Sequence, residues 1–176
     1  MPKKGFKNLI LSTGPWEPAH FRTYSQKFMP NGTEYKFFKQ EELEDNVKMI
    51  DNELQKLGII GTYKSFKLLR PKAFRADLWR WMALWQYGGI YMDAKMAFNS
   101  PTNDWIDFQN DELVLCMSPS LHVNNAIMAM TQYHPYALMM IKHINEKVQN
   151  RFYQDPQYAF TDLNITGPEA LRFEFI

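Results

Sequence analysis

The chain has 176 residues, 45% of them hydrophobic and 15% aromatic, enough for one domain with a sizeable buried core and too apolar for a disordered segment. A formal net charge of +1 supplies no global basic field of the kind that draws a protein onto nucleic acid. The single cysteine, Cys116, excludes an internal disulfide and a multi-cysteine zinc site, and the longest apolar runs fall short of a membrane span, so a protein without a membrane span is expected, cytoplasmic, with the lumen of the secretory pathway as the alternative.

In chain order, Phe6 to Leu11 reads as a buried first strand that stops at Ser12-Thr13-Gly14-Pro15, residues with turn chemistry. Tyr35 to Phe38 reads as a second strand. From Gln40 to Leu57, Leu43, Val47, Ile50, Leu54 and Leu57 form an apolar stripe opposite Glu, Asp and Lys, an amphipathic helix that Gly58 ends. Gly61 to Arg70 reads as a connector, and Pro71 suits a first helical position, where its missing N–H would be unpaired anyway.

The helix that follows is the densest part of the sequence. Phe74, Leu78, Trp81, Met82 and Trp85 share one stripe, and Trp79, Ala83 and Leu84 leave little polar surface elsewhere, so the helix is expected to be buried. Asp77 and Arg80 lie three residues apart on neighbouring positions of one face. Burying either charge alone is costly, so they must pair or meet a polar ligand. Gly88-Gly89 then breaks the helix and redirects the chain. In the next strand Tyr91, Asp93 and Lys95 alternate with Ile90, Met92, Ala94 and Met96, which gives one chemical face and one core face.

Asn99 to Asn110 reads as a surface loop and Glu112 to Met117 as another strand. Asn124-Asn125 opens an apolar run, Ala126, Ile127, Met128 and Met130, expected to be helical up to His134-Pro135, and Pro135 starts a longer helix through Val148. The rhythm of strand, helix and strand predicts an α/β domain over residues 1–176 with a mainly parallel central sheet flanked by helices.

The run R-A-D-L-W-R followed by Y-G-G-I-Y-M-D-A-K resembles the sugar-binding region of glycosyltransferase family 32, which contains the yeast-type initiating mannosyltransferases, and is similar to the glucosylating clostridial toxins. Those families carry S/A-D-x-x-R on the helix and G-G-x-Y-x-D-x-D on the following strand; here Lys95 replaces the last acid. The resemblance implies a GT-A type nucleotide-binding fold and a glycosyltransferase that moves a hexose from a nucleotide diphosphate sugar to a glycan or other acceptor, with retention of configuration. It implies contacts from Asp77, Arg80, Tyr91, Asp93 and Asn125 to the donor sugar, with helix capping as an equally good account of Asn125. Ser12, Thr13 and Trp16 fall where the family approaches the nucleotide, although turn chemistry and core packing explain them as well. Thr166-Gly167-Pro168 resembles a T-G-P segment on the acceptor side. The further strand and loop that normally follow it are expected to be missing or very different.

Asp93 and Lys95 are the expected catalytic pair, and Asp93 is the candidate metal ligand. A divalent cation, Mn or Mg, ordinarily sits on the donor pyrophosphate in such families, and hard cations want several oxygen ligands. A lysine cannot ligate one. Two unit charges about 4 Å apart interact by roughly 4 kcal/mol at an effective dielectric of 20, so an ammonium opposes a dication there and favours the phosphates directly. Either Lys95 partly replaces the metal, or it points away and a metal binds through Asp93, phosphates and water. The competing functional readings are a non-catalytic nucleotide-sugar or glycan binding module of the same fold, and an interaction domain in which Asp77 and Arg80 are a structural ion pair.

Overall fold

The computed structural model describes residues 5–19, 23, 27–117, 123–151 and 166. Strands β1 (Leu9–Gly14) and β2 (Glu34–Lys39) precede helices α1 (Leu43–Lys56), α2 (Thr62–Leu68) and α3 (Lys72–Tyr87). Strands β3 (Gly89–Met92), β4 (Leu113–Met117) and β5 (Val123–Met130) and helix α4 (Pro135–Gln149) complete the order. The strands form one sheet, β2-β1-β3-β5-β4.

The α/β architecture is the expected one, but the sheet is mixed rather than mainly parallel. β1 runs parallel to β2 and β3, while β5 runs antiparallel to both β3 and β4. Parallel neighbours need a long crossover, which α1 to α3 provide between β2 and β3. β4 ends at Met117 and β5 begins at Val123, too short a link for such a crossover, and that pair is antiparallel.

Three local expectations are corrected. Val123–Met130 is a strand, not a helix: a short apolar run has no period that separates the two, and here β3 and β4 claim both of its edges. Asn125 therefore caps nothing. β1 continues through Ser12, Thr13 and Gly14, which pair with Phe37, Phe38 and Lys39, because Gly14 and Pro15 end the strand later than turn propensity suggests. The connector after Gly61 contains α2, whose Thr62, Ser65 and Phe66 are buried; two turns of helix are too few to show a period.

Helices α1 to α4 lie against one face of the sheet. There Leu9, Leu11, Tyr91, Met128 and Met130 meet Val47, Leu54, Phe66, Leu78, Trp81 and Ile144 in one cluster. The opposite strand face, through Ile10, Ile90, Met92 and Ala129, packs on Phe6, Met29, Phe98 and Ile106. Part of the 99–110 segment is thus a cover for a second core rather than a plain surface loop. A 3-10 turn, Thr102–Asp104, buries Thr102, whose hydroxyl donates to the Phe28 carbonyl at 2.9 Å.

Candidate functional site

Helix α3 is buried from Leu78 through Trp85, as the sequence implies for a helix apolar nearly all round. Trp79 fixes its rotation: the ring packs on Phe38 and Tyr91, and its indole N–H donates to Asn46 Oδ1 of α1 at 2.8 Å. The helix ends where Gly88 (φ 67°) donates to the Leu84 carbonyl, and Gly89 (φ 93°) turns the chain into β3. A side chain at Gly89 would put its Cβ 2.4 Å from the Leu9 carbonyl oxygen, so the double glycine is what lets β3 lie against β1. The polar end of α3 and the end of β3 are thereby held side by side.

Between them the expected residues converge. Arg80 Nη2 stands 2.7 Å from Asp77 Oδ1 and 3.5 Å from Asp93 Oδ1, and the guanidinium lies over the Tyr91 ring, 4.6 Å from its centroid. The Tyr91 hydroxyl donates to Asp93 Oδ1 at 2.5 Å. Arg80 Nη1 donates to the Asn125 main-chain carbonyl at 2.5 Å, at a point where β5 shifts register against β4 and so turns that carbonyl out of the ladder. Asn125 meets this cluster through its backbone; its amide Nδ2 is buried without a hydrogen-bond partner among the described residues. No side-chain rule would have revealed that contact. Thr166 Oγ1 donates to the other Asp77 oxygen at 3.0 Å, whereas Gly167 lies outside the described residues.

The electrostatics follow from burial. The Arg80 side chain is 7% exposed, against 15% for Asp77 and 38% for Asp93. Burial alone would lower the Arg80 pKa, but Tyr91, Asp77 and Asp93 more than offset it and the guanidinium stays charged. Burial likewise pushes the Tyr91 phenol far above its ordinary value; Arg80 opposes the shift and Asp93 adds to it. Tyr91 is therefore a proton donor to Asp93 throughout the neutral range.

A cavity of about 550 Å³ opens over this cluster, lined by Thr13, Gly14, Pro15, Trp16, Pro18, Ala73, Ala76, Arg80, Tyr91, Asp93, Ala94 and Lys95. Asp93, Ala94 and Lys95 all reach it because β3 stops at Met92 and a turn closed by Met96 N–H to the Asp93 carbonyl follows. The strict alternation expected as far as Lys95 ends there. Trp16 is 70% exposed on the cavity wall, not a core residue. Thr13 lines the wall while its hydroxyl donates to the Phe38 carbonyl at 2.8 Å. Ser12 is fully buried and is not among the lining residues, and Asp77 stands behind Arg80 rather than on the wall. Sequence reasoning missed Ala73 and Ala76, whose small size at helical spacing leaves the space open, and the Pro15 and Pro18 flanks of Trp16.

Residues 18–111, more than half of the chain, match the family model described as "Glycosyltransferase sugar-binding region containing DXD motif". The chain belongs to this glycosyltransferase family. The match spans α1 to α3, β2, β3 and the D-A-K triplet. A solved structure described as "PaToxG Glycosyltransferase" superimposes with a TM-score of 0.67 over 98% of this chain and 71% of its own, at 13% identity, which is a likeness of fold. No curated protein matches. Among the described residues no helix is long and apolar enough to cross a membrane.

The family's D-x-D implies a divalent cation, and the described residues do not fit one. Among the described residues no group of three His, Cys, Asp or Glu side chains could hold a metal. Asp93 is the one acid among the described residues that line this cavity, its Oδ1 is already engaged by Tyr91 and Arg80, and Lys95 brings an ammonium where the second acid would stand.

Proposed function

We propose that this domain, taken over residues 1–176, is a nucleotide-sugar-dependent hexosyltransferase with a GT-A type fold. It moves a hexose from a nucleotide diphosphate sugar to a glycan or other acceptor, with retention of configuration. The observation that carries the reading is the convergence of Arg80, Tyr91 and Asp93, from one helix and from the end of one strand, at a single cavity, with Asp77 paired to Arg80 behind its wall. A structural ion pair needs no open cavity beside it.

In this reading Trp16 and Thr13 receive the nucleotide, with Ser12 supporting them from beneath. Arg80 and Asp93 hold donor hydroxyls in one orientation, which lowers the entropic part of the barrier. Asp77, Tyr91 and the Asn125 carbonyl keep Arg80 fixed so that no reorganisation is needed during reaction. Thr166 and Gly167 border the acceptor side. The bond from the sugar's anomeric carbon to the diphosphate oxygen breaks, with its electron pair leaving on the diphosphate. The acceptor hydroxyl oxygen forms the new bond on the same face, and its proton passes to the departing diphosphate. No dedicated carboxylate base is required. Lys95 takes over at least part of the role that Mn or Mg has in related enzymes.

NMR of the protein with a panel of nucleotide sugars tests the proposal. Slow release of free sugar with the nucleoside diphosphate supports transfer chemistry. Binding without turnover would make it a binding module, and no binding to any donor would leave Asp77 and Arg80 as a structural pair.

A further inference from the structure

Among the described residues three charged side chains, Arg80, Asp93 and Lys95, line this cavity, and Asp77 pairs with Arg80 behind its wall. Asp77 and Asp93 are both within salt-bridge distance of Arg80, so the single buried guanidinium is shared between two carboxylates. Its Nη1 is spent on the Asn125 carbonyl. Arg80 thus has little positive charge left for a ligand. Lys95 lies on the same wall, exposed, and forms no ion pair among the described residues. With Lys95 the two carboxylates and two cations cancel. With an acid at that position the site would be more negative by two units, which is the charge that one dication supplies.

We infer that Lys95 is the resident counter-charge for the donor's diphosphate and that the site operates without a divalent cation. The inference rests on the donor-site reading above and adds to it the ionic requirement. A diphosphate needs positive charge both when it binds and when the anomeric bond breaks and it takes the electron pair. A metal brings that charge as a separate, dissociable component. An ammonium on a covalent stem brings it with the chain, needs no oxygen ligands, and is compatible with Asp93 spending an oxygen on Tyr91 and Arg80. Lys95 moves no proton in the step. Its part is electrostatic, and the acceptor's proton still goes to the departing phosphate oxygen.

The test is calorimetric titration of the 176-residue chain with uridine and guanosine diphosphate, in EDTA and in manganese, alongside Lys95→Ala and Lys95→Asp. The wild type is expected to bind one of the two with affinities in EDTA and manganese that agree within about twofold, and Lys95→Ala to lose on the order of tenfold to a hundredfold in EDTA. Lys95→Asp should bind poorly in EDTA, recover in manganese, and show a bound-manganese electron paramagnetic resonance signal with the nucleotide that the wild type lacks. Lys95 is exposed, so all three proteins should melt alike. Wild-type binding that EDTA abolishes overturns the inference and leaves the donor site standing. Lys95→Ala binding as well as wild type in EDTA overturns it too, as does Lys95→Asp gaining nothing from manganese. Absence of binding in both conditions overturns inference and donor site together.

Discussion

Replacing Arg80 by Met separates what that residue does for the fold from what it does for a ligand. The change keeps an unbranched apolar stem and removes a guanidinium that is 7% exposed and is held by Asp77, Asp93 and the Asn125 carbonyl. Removing one partner of a buried ion pair costs about 3 to 5 kcal/mol, because the other charge stays buried and uncompensated. Asp77 is 15% exposed and keeps its hydrogen bond from Thr166, which places the expected loss near the lower end, about 3 kcal/mol. With a urea slope of about 2 kcal/mol per molar, the unfolding midpoint should fall by about 1.5 M. Adding Asp77→Asn removes the charge that faced Arg80, and since replacing a whole buried ion pair by neutral side chains costs far less than breaking it, most of the midpoint should return. Donor binding and sugar release should not return. If Arg80→Met moves the midpoint by less than about 0.5 M, or the double variant regains turnover, the picture of a buried charge serving a ligand is wrong.

Gly89→Ala should cost about 2 to 4 kcal/mol and lower the melting temperature by about 5 to 15 °C, since φ is 93° and the new Cβ meets the Leu9 carbonyl oxygen. Gly58→Ala, at φ 79° with open space around it, should cost only about 1 kcal/mol; equal losses at the two sites would refute the close-approach argument. Trp16→Ala should leave the melting temperature unchanged, because the ring is 70% exposed, and weaken nucleoside diphosphate binding by about 5- to 150-fold, the range expected for a lost base stack. Burial raises the Tyr35 phenol from 10.0 to about 12, so the folded state favours the protonated form. That stability is fully present below pH 10 and is lost as pH rises towards 12, which urea unfolding at stepped pH should show. Tyr35→Phe should flatten the decline, and an unchanged curve would exclude Tyr35 as its source.

Much of the site was legible because its constraints are local. The spacing of Asp77 and Arg80 puts two charges on one face of a helix otherwise made of Trp, Leu and Met, and such charges have to pair, as they do at 2.7 Å. Gly88-Gly89 marks an abrupt change of direction, and both residues do adopt positive φ. What was not legible depends on contacts between distant segments. The apolar run from Ala126 to Met130 fits helix and strand alike, and only the flanking β3 and β4 settle it as strand. The same pairing makes Asn125 contribute a carbonyl rather than an amide, and a main-chain atom leaves no trace in residue type. Ala73 and Ala76 line the cavity by being small, which reads in sequence as ordinary helix composition.

The bond from Thr166 to Asp77 joins residues 89 positions apart and bears on how the protein comes into being. On the ribosome α3 and β3 emerge before β5 and α4, which complete their packing, and one oxygen of Asp77 waits longer still, for a hydroxyl translated about 5 to 20 s after it. Until then the carboxylate lacks that neighbour, so the cluster around Arg80 is completed only once residue 166 has emerged. A nascent chain caught before that point would hold its scaffold without its full grip on a ligand.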